Sequence, residues 1–241
     1  MTVDPVRTVV LKAGGNVLNP RDSGLIDGDF LRTLLRFVEV HLLQSYERVV
    51  LVPGGIGCEL FLQWGRLEGC TEPELDEIGC ALINISASII NRAAISNLVD
   101  RSVISPTVPK TLDALSQALD KYRLTVAGCA IAHALTSDSL AASIAEHTSA
   151  DLIFVKNSQP FNGELSFYQD ETRSVLKLER MMTYHSSMNE MERAGHHPSL
   201  DHLSLRIIRR AHLFCRVLLK DAIVAWRPGK EISGITIHYD S

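Results

Sequence analysis

Two short apolar runs, each emptying into a pair of glycines, constrain this chain more than any other feature. Val6 to Leu11 ends at Lys12-Ala13-Gly14-Gly15-Asn16, and Arg48 to Val52 ends at Pro53-Gly54-Gly55-Ile56-Gly57. β-Branched runs of this length predict buried strands, and the glycines predict turns. Between them Phe30, Leu31, Leu34, Leu35, Val38 and Leu42 mark one face of an amphipathic helix over Phe30 to Leu43. Helical patterns continue from Cys58 to Leu67 and from Pro73 to about Leu98, with a further short helix over Leu112 to Leu119.

Strand patterns recur after Ser102, from Leu124 to Cys129, and from Ala150 to Val155, the last ending at Lys156. Thr136-Ser137-Asp138-Ser139 is a helix-capping cluster before Leu140-Ala-Ala-Ser-Ile-Ala. Strands alternating with helices predict a mostly parallel sheet covered on both faces, an α/β three-layer sandwich. Near the end, Ser204 to Leu218 reads as an amphipathic helix, Ala222 to Trp226 as a strand and Gly234 to His238 as a last strand. The stretch from Gln159 to His202 reads as polar surface loops around a short hairpin or helix. Neither a repeat nor a linker divides the chain, so one continuous α/β unit is expected.

Composition excludes several partners. At 241 residues, with 46% hydrophobic and 22% charged residues and a net charge of −4, the chain advertises no basic face for nucleic acid or acidic lipid. Its apolar runs fall short of the ~20 residues a bilayer span needs, and its first residues lack the pattern of a secretion signal. Cys58, Cys70, Cys80, Cys129 and Cys215 are scattered without C-x-x-C spacing, which fits reduced thiols in a cytoplasmic protein.

The glycine pairs fall where ligands bind in doubly wound sheets, beyond the carboxyl ends of strands. Glycine lets backbone N–H groups approach an anion, although ordinary tight turns use the same residues. Neither pair matches the phosphate loop or the dinucleotide fingerprint. Lys12 and Lys156, each at a strand end, could offset phosphate charge in one crevice; edge lysines with stems along apolar surface are the alternative. Asp138 could orient the lysines, or could simply cap a helix. Phosphoryl transfer is chemistry that needs concentrated positive charge more than covalent help.

In this order the motifs resemble those of the amino acid kinase superfamily, which holds uridylate, acetylglutamate, aspartate and carbamate kinases. Lys12-Ala-Gly-Gly-Asn16 is similar to its opening K-x-G-G-S, and Val52-Pro-Gly-Gly55 to its second glycine turn. Thr136-Ser-Asp-Ser-Leu-Ala-Ala142 is similar to T-T/S-D-S-x-A-A, and Ala150 to Lys156 to the strand and lysine beyond it. Arg227-Pro-Gly229 through Gly234-Ile-Thr-Ile237 resembles the family's ending.

The resemblance implies an amino acid kinase-like sandwich whose residues 1–150 bind the acceptor and whose residues 151–241 bind the nucleotide, on one continuous sheet. It implies an ATP-dependent kinase that phosphorylates a small anionic metabolite, with Mg²⁺ held mainly by the ATP phosphates. Lys12, Asp138 and Lys156 would be catalytic, and Gly14, Gly15, Asn16, Asn157 and Ser158 would bind the phosphates. Gly54 and Gly55 would bind the acceptor. A cytoplasmic homo-oligomer is implied, or a hetero-oligomer with a related subunit, with the helix from Leu82 to Ile95 as a candidate interface.

The chain departs from the family pattern after Lys156, where Asn157-Ser-Gln-Pro-Phe-Asn-Gly163 replaces V-D-G-[VI]-Y. It departs again at Ala127-Gly-Cys-Ala-Ile-Ala-His133, where uridylate kinases carry G-T-G-N-P. The T-S-D-S form is closer to that of the small-molecule phosphate kinase of archaeal methanofuran synthesis. Alternatives on the same fold are a molybdenum storage-like oxoanion-binding protein, using His196, His197 and His202, and a catalytically inactive regulatory subunit.

Overall fold

The computed structural model describes residues 7–19, 26–98, 100–132, 136–157, 175–179, 181–182 and 200–238. The β-branched runs pair into one seven-stranded sheet: β1 (Thr8–Ala13), β2 (Arg48–Pro53), β3 (Leu124–Val126), β4 (Asp151–Lys156), β5 (Val175–Lys177), β6 (Cys215–Leu219) and β7 (Ile235–His238). The spatial order is β3-β2-β1-β4-β6-β7-β5. β1 pairs in parallel with both β2 and β4, and β4 with β6, while β6 and β7 run antiparallel. Parallel strands need crossovers, which the helices supply: α1 (Gly15–Leu18), α2 (Gly28–Phe37), α3 (Cys58–Leu67), α4 (Glu72–Asn97), α5 (Leu112–Lys121), α6 (Ser137–Thr148), α7 (His202–Ala211) and α8 (Lys220–Ala225).

The period-2 alternation of each strand sorts its side chains into two cores. Val9, Leu11 and Ala13 of β1 join Ile153 and Val155 of β4 in an apolar cluster with Phe30, Leu34, Leu35 and Ile223, on the α2 and α8 side. Val10 of β1 and Leu152 and Phe154 of β4 face the other way, among Leu140, Ile144, Leu205 and Ile208 of α6 and α7. Sheet and two helical layers form the αβα sandwich expected from the sequence.

Helix α2 begins with Asp27 accepting from the Phe30 N–H at 2.9 Å. It continues past Phe37 as a π turn over Val38–Leu42 and a last α turn over Leu43–Ser45, covering the helix read from the apolar spacing. The strand expected after Ser102 shrinks to a 3₁₀ turn (Arg101–Val103) and a single bridge between Ile104 and Leu124. The strand read over Leu124 to Cys129 stops at Val126, and Cys129–Ile131 forms a second 3₁₀ turn.

Two expectations near the end are corrected. Ser204 to Leu218 is not one helix: α7 stops at Ala211, because His212 adopts the left-handed conformation at φ 50°. The Leu213 N–H then donates back to the Ile208 carbonyl, and Cys215–Leu219 pairs with β4 as β6. Ala222 to Trp226 is not a strand either. It lies largely in helix α8, whose Ile223 is fully buried against the α2 side.

The reading that no apolar run is long enough to span a bilayer is also amended. Helix α4, at 26 residues, is long and apolar enough by length and composition to cross a membrane. Ile83, Ala87, Ile90 and Ala94 are buried in the protein, while Ile85 and Ile89 of the same helix are exposed. A reciprocal Thr71/Glu74 capping box starts it.

Candidate active site

Parallel pairing brings the carboxyl ends of β1, β2 and β4 to one edge, and the alternation decides where the two lysines point. Lys12 has the parity of Val10, and Lys156 that of Leu152 and Phe154, so both project toward α6. There they meet Asp138, the second residue of that helix. Lys156 Nζ donates to Asp138 Oδ2 at 2.8 Å, and Lys12 Nζ pairs with Asp138 Oδ1. All three are buried, with relative exposures of 5% for Lys12, 5% for Asp138 and 9% for Lys156.

Two buried ammonium groups against one carboxylate leave an excess of positive charge, which is costly without further compensation. Burial pushes the Lys12 ammonium down to about 8, against the opposing pull of Asp138. Burial alone would raise the Asp138 carboxyl. The two lysines, Lys12 foremost, reverse that and hold it well below the usual carboxylate range.

The glycine turns meet face to face beside this triad. A Cβ on Gly15 would lie 2.2 Å from the Gly55 carbonyl oxygen, and one on Gly54 2.2 Å from the Gly15 nitrogen. These two glycines are therefore required by backbone-on-backbone packing. Gly14 differs. A Cβ there would meet side chains and no backbone: Asn16 Oδ1 at 2.8 Å, Lys12 Nζ at 3.1 Å and Val17 Cγ2 at 3.7 Å. The missing Cβ leaves a cradle that the ends of the Asn16 and Lys12 side chains border closely. Gly55 is crowded by Cys58 Cβ at 3.0 Å and Leu82 Cβ at 3.3 Å, so it serves packing on α3 and α4.

Neighbouring groups brace the turns. Ser86 Oγ of α4 accepts from the Ile56 N–H at 2.8 Å and donates to the Leu82 carbonyl at 2.7 Å. Asn157, just past β4, donates to the Asn16 carbonyl at 2.9 Å. Lys220 Nζ reaches the Val17 carbonyl at 3.0 Å and Asp27 at 2.9 Å, tying α8 to α1. The 3₁₀ turn that stands where uridylate kinases carry G-T-G-N-P is fastened to α4, with the Ala130 N–H donating to Asn84 Oδ1 at 2.9 Å.

The structure thus gathers Lys12, Gly14, Gly15, Asn16, Gly54, Gly55, Asp138, Lys156 and Asn157 at one sheet edge. Ser158, His196 and His197 lie outside the described residues, as does most of the polar stretch from 159 to 202. His202 is the first residue of α7, and among the described residues no group of three His, Cys, Asp or Glu side chains is placed to hold a metal ion. Sequence reasoning overlooked Asp201. Fully buried, it caps α7 through the Ser204 N–H at 2.8 Å and accepts from Thr136 Oγ1 at 2.5 Å. Its capping spacing to Ser204 was legible; its reach to Thr136 depends on the tertiary fold.

The residues present suit a magnesium–triphosphate. Asp138 is engaged by two lysines, so a cation would rely on phosphate oxygens, while the two lysines suit the phosphates themselves.

No family model matches the chain. It is 30% identical to a uridylate kinase of Methanothrix thermoacetophila over 210 residues, 85% of this chain and 86% of that protein. It is 28% identical to a uridylate kinase of Haloarcula marismortui, over 87% of this chain and 88% of that one. Among solved structures, uridylate kinase from Archaeoglobus fulgidus superposes with a TM-score of 0.67 at 22% identity, over 95% of this chain and 99% of that chain. UMP kinase from Ureaplasma parvum gives 0.69 at 15% identity, over 96% of this chain and 98% of that chain. Shared sequence over most of both chains, on a shared fold, settles the kinship: the chain belongs to the amino acid kinase superfamily and is uridylate kinase-like within it.

Proposed function

We propose that the protein is an ATP-dependent phosphotransferase that phosphorylates a small anionic metabolite, a nucleoside monophosphate being the first acceptor class to test. The observation that carries this reading is the buried Lys12–Asp138–Lys156 triad beside the paired glycine turns. An excess of fixed positive charge in a buried site is what a moving phosphoryl group requires. Kinship with uridylate kinases supports the reaction class.

In this reading Lys12 faces the transferring phosphoryl group and Lys156 the nucleotide phosphates. Asp138 holds both ammonium groups in place and needs no proton of its own. Gly14, Gly15, Asn16, Asn157 and Ser158 line the phosphates, and Gly54 and Gly55 border the acceptor. Bound Mg²⁺ would supply further neutralisation of the phosphate charge. The lobes divide accordingly, residues 1–150 serving the acceptor and 151–241 the nucleotide.

The test is a phosphoryl-transfer screen with Mg-ATP against UMP, other nucleoside monophosphates and small phosphorylated or carboxylated metabolites, in parallel on wild type and Lys12→Ala. Turnover of one acceptor class that falls about 10²–10³-fold in the variant supports the assignment. Undiminished turnover in a folded Lys12→Ala protein removes Lys12 from the chemistry and the reading with it.

A further inference from the structure

Asp201 is a second buried carboxylate at the site, carried by a different helix from the first. It is fully buried, and its two carboxylate oxygens do two jobs. Oδ1 accepts from the Ser204 N–H at 2.8 Å, the ordinary cap of α7. Oδ2 accepts from Thr136 Oγ1 at 2.5 Å, across to the N-cap residue of α6.

The second bond has a directional consequence. A threonine hydroxyl has one proton, and the Asp201 carboxylate takes it. The Thr136 oxygen is left with lone pairs only, and it accepts from the Ser139 N–H at 3.1 Å, closing the first turn of α6. Asp138 sits inside that turn. Asp201 therefore fixes Thr136 as an acceptor, Thr136 fixes the turn, and the turn aims Asp138 at both lysines. Charge runs the same way: Asp201 acts on Lys12 more weakly than Asp138 does, and so offsets only part of the positive charge that two lysines against one paired carboxylate leave.

We propose that Asp201 is a positioning residue for the triad, setting the first turn of α6 through Thr136 and, as a second buried carboxylate, offsetting part of the positive charge at Lys12. This rests on the triad being the phosphoryl-transfer site. The charged groups facing Lys12 are Asp138 from α6, Lys156 from β4 and, more weakly, Asp201 from α7, the first and last favouring its charged form.

The test reads Lys12 directly. Lysine side-chain carbons are ¹³C-labelled, the Lys12 resonance is assigned by its loss in Lys12→Ala, and its titration is followed by NMR in wild type and Asp201→Asn. Mg-ATP titrations by calorimetry accompany it on the same samples. In Asp201→Asn the Lys12 midpoint falls by about half a unit and Mg-ATP affinity drops about tenfold, while Asp113→Asn, an exposed acid of α5, changes neither. A folded Asp201→Asn protein with the wild-type Lys12 midpoint overturns the proposal. Should Asp201→Asn fail to fold, Thr136 carries the test. Thr136→Ser keeps the bridging hydroxyl and is expected to keep wild-type affinity, whereas Thr136→Val is expected to lose it about tenfold. Equal affinity in a folded Thr136→Val protein overturns the proposal. If wild type binds no Mg-ATP, the kinase reading falls while the Lys12 titration still decides the role of Asp201.

Discussion

Gly15 and Gly54 hold the two glycine turns in direct backbone contact, so close that a Cβ on either would sit 2.2 Å from the other turn's main chain. No rotamer change relieves such an overlap; the turns must part. Gly15→Ala or Gly54→Ala is expected to cost about 3 kcal/mol or more, a fall of roughly 6–12 °C in melting temperature for a domain this size. Gly14→Ala meets side-chain atoms only, Asn16 Oδ1 the closest at 2.8 Å, at an extended backbone conformation of φ −60° and ψ 154° that alanine adopts freely. It should melt close to wild type yet bind Mg-ATP about tenfold more weakly. Paired melting curves and calorimetry separate these outcomes. A Gly14→Ala protein with intact affinity would show that the cradle beside Lys12 holds no phosphate.

Removing the two kinds of charge from the triad should have opposite balances of stability and activity. Asp138→Asn leaves Lys12 and Lys156 buried without their shared carboxylate, which is expected to destabilise the fold by about 3–5 kcal/mol. Lys12→Met leaves the Lys156–Asp138 pair, a 2.8 Å bond, intact and removes one excess positive charge. It should cost far less stability, or none, while abolishing transfer. Urea denaturation of the two variants checks this; an Asp138→Asn protein as stable as Lys12→Met would contradict the buried-pair argument.

Much of this site was readable from residue order alone. Strand parity places Lys12 with Val10, and Lys156 with Leu152 and Phe154, so the shared face of the lysines follows from a period of two. Thr136-Ser-Asp-Ser139 announced the helix start that carries Asp138. What stayed hidden is tertiary. The contact of Gly15 with Gly54 joins turns 39 positions apart in the numbering, and Asp201 reaches Thr136 across 65 positions; neither leaves a local pattern. The misread end has a local cause instead. Apolar residues on both sides of His212 extend the helical spacing, and only a left-handed residue there, which no glycine signals, ends α7 and frees β6.

The depressed Lys12 ammonium gives the site a pH signature with a definite sign. In the folded free protein Lys12 loses its proton near pH 8 rather than near its ordinary 10.5. If kcat/KM requires the charged form, it should fall about tenfold per unit above pH 8. The limb of kcat should lie higher, because bound phosphates favour the ammonium. For stability the sign reverses. Between about pH 8 and 10.5 the unfolded chain holds a proton that the folded one has released, so this group makes stability rise with pH in that window. The Asp138 carboxyl, held low, contributes stability above its unfolded value that is lost as pH falls through the folded one. A kcat/KM profile flat to pH 10 would remove Lys12 as the titrating group.

The thiols of Cys80 and Cys129 lie 2.7 Å apart, sulfur to sulfur, with Cys80 on α4 and Cys129 in the 3₁₀ turn after β3. None of the five cysteines is in a disulfide. A two-electron oxidant such as diamide should remove one hydrogen from each thiol and join this pair ahead of the others, lowering the peptide mass by two hydrogens. Proximity sets that order, since Cys80 and Cys129 are both more buried than Cys58 and gain no advantage from exposure. The new bond would clamp the 3₁₀ turn to α4 beside the second glycine turn, so acceptor affinity should change while Mg-ATP affinity holds. Peptide mapping of oxidised wild type and Cys80→Ser checks the pairing. A Cys80–Cys58 link, or none at all, would show that the two sulfurs are not held as this geometry requires.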